Sequence, residues 1–186
     1  MTEQVTSVLL GLGLSAACGF RVFVPMMVIS LAARTGYLTL SDRFEWIGTP
    51  AALLAFTVAT VLEIGAYYVP WLDNLLDTVA SPAAVVAGIV ATASVVTGMD
   101  PFMKWTLAII AGGGLAGTIQ LLTAGTRLTS TLATAGIGNP LVASVETASS
   151  ITLSVLAVLV PIAAALALIL LLAFIAGRLL RPRRVP

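Results

Sequence analysis

Long stretches without a charged side chain constrain this chain more than any other feature. Residues 78–99, 105–126 and 147–177 contain no Asp, Glu, Lys or Arg, and 4–20, 46–62 and 128–145 are nearly as long. About 20 apolar residues suffice to cross the hydrocarbon core of a bilayer as a helix, so several of these runs can span. Transmembrane barrels alternate apolar and polar positions in segments of about ten residues. Here the runs are unbroken and rich in Ala and Leu. The expected fold is all-α, a polytopic helical membrane bundle forming one domain over residues 1–186.

Composition narrows the chemistry. Charged residues make up 9% of the chain, against about 25% in globular domains, too few to cover a water-facing surface. There is no His, hence neither the commonest general base nor the commonest metal ligand. Cys18 stands alone and can form no intrachain disulfide or thiolate cluster. With no paired-Asp motif and no nucleophile elbow, an intramembrane enzyme acting on lipid ranks last among the readings. No metal, cofactor or nucleic acid is expected. Glu3 is the only charge before the first apolar run, so the basic n-region of a cleavable signal is missing and the first helix is expected to be retained.

The first helix is expected over 4–33, longer than one crossing needs and broken near its middle, where Gly11, Gly13, Gly19, Arg21 and Pro25 fall. Residues 34–48, with Asp42, Arg43, Glu45 and Trp46, read as an interfacial loop. A second helix over 50–69 opens on Pro50, where a missing N–H costs nothing. It holds Glu63 and ends in an interfacial Tyr67, Tyr68, Trp71 cluster. Residues 71–79 read as a short surface helix, with Asp73 and Asp77 on one face and Leu72, Leu75, Leu76 and Val79 on the other. A third helix follows over 82–98. Asp100-Pro101 then turns into a fourth over 102–123, with Gly112, Gly113, Gly114 and Gly117 near mid-membrane.

Residues 124–140 carry Arg127 among Thr, Ser and Gly. Irregular backbone at membrane depth needs protein or a cavity around it, so a short or re-entrant helix inside the bundle is expected there. The last helix, over 141–180, is roughly 60 Å long and must tilt, kink at Pro161 or project. The architecture is then about five crossings plus the inserted segment. The tail residues Arg178, Arg181, Arg183 and Arg184 form the one concentrated basic patch, which places the C terminus in the cytoplasm. Counting back puts Arg34, Arg43 and Lys104 inside, and the Asp73/Asp77 stretch and the N terminus outside.

Four charges fall inside apolar runs: Arg21, Glu63, Arg127 and Glu146. Each costs about 2.5–3.5 kcal/mol at mid-membrane unless paired or hydrated. They read either as two structural Arg–Glu pairs fixing helix register, or as a polar pathway or anion site. Interfacial snorkelling is a third option, best suited to Glu63 beside Tyr67 and Tyr68. Thr123, Arg127, Ser130, Thr131 and Thr134 recur at helical spacing and form one polar stripe, and Thr147, Ser149 and Ser150 flank Glu146. The bland alternative is hydroxyls bonding back to their own helix carbonyls.

The glycines come in two sets, Gly11 to Gly19 and Gly112 to Gly117. Both match a dinucleotide-binding pattern, but neither follows a strand, so the match is chance. Close helix approach is the physical reading, with Gly113 and Gly117 as a GxxxG pair. The alternative is that Gly112, Gly113 and Gly114 let backbone approach a ligand. Cys18-Gly19-Phe20-Arg21 and Ala124-Gly125-Thr126-Arg127 share a small-Gly-x-Arg core. This suggests an inverted repeat of halves 1–98 and 101–180, with the first and fourth helices opposed.

The run Leu12-Gly13-Leu14-Ser15-Ala16-Ala17-Cys18-Gly19-Phe20-Arg21-Val22-Phe23-Val24-Pro25 is the most specific motif. Together with Leu62-Glu63, with Pro70-Trp71-Leu72-Asp73-Asn74-Leu75-Leu76-Asp77, and with Gly112-Gly113-Gly114 and Gly125-Thr126-Arg127, it resembles domain-of-unknown-function family 4126, small bacterial multi-pass membrane proteins. The chain departs from the family pattern at Tyr67-Tyr68, where a more polar pair is expected. The resemblance implies membrane embedding, in a bacterial inner membrane, and carries no activity, substrate or catalytic residue.

The leading functional expectation is a transporter or channel whose Arg21 and Arg127 bind an anionic solute or lipid head group. Glu63 and Glu146 would serve as counter-ions or proton-coupled carboxylates, with Thr123, Thr131 and the three consecutive glycines completing the site. The alternative is a non-transporting membrane scaffold or assembly subunit with closed Arg–Glu pairs, pairing with itself or a partner through small-residue faces. A ligand-sized cavity reaching both arginines would favour the first, and its absence the second.

Overall fold

The computed structural model describes the backbone of residues 2–179, with side chains for all of these except 2, 70, 71, 73–75, 77, 174–176, 178 and 179. Asp73, Asp77 and the arginine tail, to which the sequence assigns a surface face and a basic patch, lie outside the described side chains. The chain is an all-helical membrane protein. Its helices are α1 (Thr2–Phe20), α2 (Phe23–Arg34), α3 (Pro50–Ala66), α4 (Pro70–Val95), α5 (Pro101–Leu107), α6 (Gly114–Thr134), α7 (Asn139–Leu159) and α8 (Pro161–Leu179). A 3-10 turn, Glu45–Gly48, precedes α3, and a π-helical stretch, Ala108–Gly113, welds α5 to α6. Four stretches are long and apolar enough to cross a membrane: Glu3–Phe20, Thr78–Val95, Pro101–Thr134 and Asn139–Leu159. Three shorter apolar helices run beside them, Phe23–Arg34, Pro50–Ala66 and Pro161–Ala173.

The expected break in the first helix falls at Arg21–Val22. Pro25 cannot donate a backbone hydrogen bond, and its ring excludes the carbonyl four residues back, that of Arg21. The helix stops with Arg21 N–H on Ala17 O at 3.1 Å and restarts at Phe23. The break is also a reversal. Gln4 and Thr6 lie by Gly98 and Thr97 at one end of the bundle. Arg21 reaches the level of Ala143 and Thr147, and α2 then returns, so that Leu38 and Thr39 again sit beside Thr6 and Leu10. α1 and α2 therefore form a helical hairpin with Arg21 at its tip, and the N terminus shares an end with Arg43 and Lys104. This corrects the five-crossing count, which put them on opposite sides.

Three further boundaries differ from expectation. Residues 71–79 and 82–95 form one helix, α4, which continues through Pro82. Residues 124–134 are no separate short or re-entrant helix but the end of a rod over Pro101–Thr134, 34 residues and roughly 50 Å long. Its hydroxyls bond their own helix, as Thr126 to Leu122 O and Thr129 to Gly125 O do, so polar composition does not break it. The rod ends where Ala135 and Gly136 take left-handed backbone at φ 51° and 87°. The last helix, expected as one rod over 141–180 that tilts, kinks at Pro161 or projects, is instead two helices that reverse there. Val160, forced out of helical conformation by the following proline, has φ −142° and ψ 74°, and α8 runs back along α7, with Ala157 and Ala164 both against Gly13.

α1 is the central rod, packed against α4, α6, α7 and α8. Its glycines permit this. A Cβ on Gly19 would sit 2.6 Å from Ala116 O, and one on Gly13 2.9 Å from Ala157 Cβ. Hydroxyls cross the same seams: Ser15 donates to Gly112 O, Thr92 to Gly11 O at 3.2 Å and Ser150 to Ala17 O at 3.0 Å. Ser15 meets Gly112 while Gly19 meets Ala116 and Ile119, so α1 and α6 are parallel. The expected inverted relation between the two halves is thereby overturned.

Candidate functional site

Three of the four intramembrane charges converge where the tip of the α1–α2 hairpin meets α6 and α7. Arg127 on α6 holds Glu146 on α7 with both ends of its fork: Nε donates to Oε1 at 3.1 Å and Nη2 donates to Oε2. Such bidentate pairing is the strongest form of ion pair that side chains make. Arg21 joins the same carboxylate, with Nη2 3.4 Å from Oε2. It also donates to Ala143 O at 2.8 Å and from Nε to Thr147 Oγ1 at 3.0 Å. The hairpin turn presents this side chain to α7.

Tyr67, just past α3, completes the cluster. The Arg21 guanidinium carbon lies 4.0 Å from its ring centroid and that of Arg127 3.8 Å. One aromatic ring thus contacts both cations of the cluster. Stacking of this kind is worth about 2 kcal/mol per cation when desolvated. Arg21, Arg127, Glu146 and Tyr67 are 1%, 2%, 3% and 3% exposed, so the set is closed to solvent and to lipid. Among its polar atoms, Arg21 Nη1 is buried and has no partner.

The other expected site residues lie elsewhere. Glu63 on α3 caps the start of α2, accepting Val22 N–H at 2.7 Å and Phe23 N–H at 3.0 Å. The polar stripe does not line a cavity. Thr123 bonds back to Gln120 O at 2.9 Å, and Thr131 receives Asn139 Nδ2 at 2.9 Å, tying α6 to the start of α7. Gly112 and Gly113 press on α4, where a Cβ on either would meet Thr92 Oγ1 at 2.5 Å or Ile89 Cγ1 at 2.9 Å. Gly114 faces outward with nothing within 4 Å. The GxxxG pair thus serves packing within the chain, and the reading of these glycines as a ligand approach is not supported. Five hollows among the described residues, from about 290 to about 560 Å³, are lined by none of the nine expected site residues.

Sequence reasoning missed Tyr67, which it put in an interfacial aromatic belt. A usable signal was present, because Tyr67 stands four residues after Glu63 and shares its helix face.

The model of a family described as a domain of unknown function, DUF4126, matches residues 8–181. The chain belongs to that family. No curated protein and no solved structure matches it.

Proposed function

We propose that this DUF4126 protein is a non-transporting membrane scaffold or assembly subunit, a bundle whose intramembrane charges serve to lock its helices. The observation that carries this reading is the shared carboxylate. Glu146 holds both arginines, with the Tyr67 ring against each, in a set at most 3% exposed. An anion site needs donors that are free for the ligand, and here two of the three guanidinium nitrogens of Arg21 are engaged within the chain. Association would use the outward face of α6. Gly114 and Gly125 are open there, a spacing that lets a second backbone approach closely. Gly114→Leu and Gly125→Leu should weaken self-association in bilayers, read by single-molecule photobleaching, without lowering the melting temperature.

The second reading, a transporter or channel for an anionic solute or lipid head group, draws on Arg21 Nη1, a buried donor with no partner. Proteoliposomes separate the two. The scaffold reading expects chloride and phosphate flux no greater than in protein-free liposomes, and an Arg127→Gln variant with a lowered melting temperature. Flux that Arg127→Gln abolishes while the protein remains folded would sink it in favour of transport. We further place the protein in a bacterial cytoplasmic membrane with its C terminus in the cytoplasm. Four arginines in the tail outweigh Arg34, Arg43 and Lys104 at the N-terminal end.

A further inference from the structure

The hollow at the N-terminal end of the bundle, about 520 Å³, is walled by α1, by the stretch that follows α2 and by the end of α4. It differs from the four other hollows in carrying a charged side chain on its wall, Glu3. The hydroxyl residues Thr6, Ser7, Thr39 and Thr97 share that wall with Leu10, Leu38 and Val95. No Lys or Arg lines it, and no ion pair joins Glu3 to a described residue. Gln4 donates to Gly98 O, which holds the first turn of α1 against the 96–100 loop.

Glu3, Ser7 and Leu10 follow one another down a single face of α1, over about 10 Å of helix. Glu3 is exposed, whereas Ser7, Leu10 and Val95 are 8%, 7% and 1% exposed, so the hollow runs from a charged rim to an apolar floor. An ionised carboxylate can only accept hydrogen bonds. Ser7 donates its one proton to Gln4 O at 2.9 Å, so its oxygen can meet a ligand only as an acceptor. Two acceptors one helical turn apart, one of them charged, call for a ligand that brings several donors and a positive charge. An ammonium group brings both.

We propose that this hollow binds a short amphiphilic primary amine, with its ammonium group on Glu3 and Ser7 and its apolar body against Leu10, Leu38 and Val95. The volume falls within the range of about 300–1,000 Å³ usual for small-molecule sites, and the buried floor limits the apolar body to roughly 10 Å, the span of α1 from Glu3 to Leu10. A quaternary ammonium carries the charge but has no N–H for Ser7, and a carboxylate meets two acceptors and a like charge. The site lies at the opposite end of the bundle from Arg21 and stands whether or not the bundle is a scaffold.

The test titrates the full-length protein in a nonionic detergent, by calorimetry, with three probes built on one phenyl ring: phenethylammonium, its N-trimethyl derivative and 3-phenylpropanoate. Saturable binding is expected for the primary ammonium, weaker binding for the trimethyl compound and none for the carboxylate. Glu3→Gln should weaken phenethylammonium about fivefold, the factor that about 1 kcal/mol of lost pairing gives. Thr39→Trp, at an exposed position on the wall, should block the hollow, and Ile137→Trp, exposed at the other end of the bundle, should change nothing. Absence of saturable phenethylammonium binding, equal binding of either other probe, binding that survives Glu3→Gln or Thr39→Trp, or equal loss in Ile137→Trp would each overturn the proposal.

Discussion

Glu146 bears more of the bundle's electrostatics than either arginine, because both guanidiniums end on its carboxylate. Removing one partner of a buried pair costs about 3–5 kcal/mol, since the other charge stays buried. Glu146→Gln strands two cations and should reach that range. Arg127→Gln leaves Glu146 with Arg21 and should cost less, and a thermal-unfolding comparison that ranks them the other way would contradict the shared carboxylate. Tyr67→Leu removes the ring that both guanidiniums contact and should cost more than Tyr67→Phe, which keeps it, by about 1–2 kcal/mol per cation. Equal losses would mean the ring contributes only through its hydroxyl. The four charges were legible in the sequence because an ionised side chain inside an apolar run is conspicuous. Their partition into a closed trio and a separate Glu63 was not, because both arrangements pair opposite charges equally well on paper. Tyr67 was hidden by its type, an aromatic residue near a helix end being more often an interfacial anchor.

At the scale of the helices, the packing of α1 and of the π-helical stretch depends on missing side chains. A Cβ at Gly19 would lie 2.6 Å from a backbone carbonyl, and one at Gly88 2.5 Å from Ala116 Cβ, so in either place two helices must separate. Overpacking of this kind costs about 1–3 kcal/mol. Gly114 and Gly125 have nothing within 4 Å, and replacing them by Ala should stabilise the helix by up to about 1 kcal/mol. Melting temperatures of the four single Ala variants should therefore split into two destabilised and two unharmed. A uniform rise would show that α1 and α4 do not pack this closely. The break at Arg21–Val22 was readable, since Gly19 and Pro25 disfavour a continuous helix there, but the reversal was not, because a break alone does not say which way the chain continues. Two other boundaries differ from what the sequence suggests for a common reason: local composition does not by itself decide where a helix ends. Pro82 reads as a helix start, yet α4 passes through it. The Thr-rich stretch 124–134 reads as broken, yet its hydroxyls are satisfied within the helix.

The arrangement of the whole molecule follows from the hairpin. Because α2 returns beside α1, every helix from α1 to α8 runs opposite to its predecessor, the α5–α6 rod counting as one. The loops 35–49 and 96–100 thus lie at the N-terminal end, and the turn 135–138 at the other. A single crossing over residues 4–33 predicts something different, with Glu3 and Asp42 on opposite sides of the membrane. Charge counting could not separate these cases, since Glu3 is acidic and only basic residues report orientation. Single cysteines do separate them. In a Cys18→Ala background, which removes the one native thiol, Glu3→Cys, Asp42→Cys and Ile137→Cys place reporters at exposed positions. With a membrane-impermeant maleimide, Glu3→Cys and Asp42→Cys should label from one face and Ile137→Cys from the other. The described part of α8 runs from the level of Gly13 towards that of Phe20, the same direction as α1. A cytoplasmic C terminus therefore makes the Ile137 face the cytoplasmic one, and labelling of Ile137→Cys should need permeabilised cells. If Glu3→Cys and Asp42→Cys label from opposite faces, α1 and α2 cross as one helix. Arg21 would then lie mid-span on a straight rod, and neither its bond to Ala143 O nor the Glu63 cap on α2 could form as they do here.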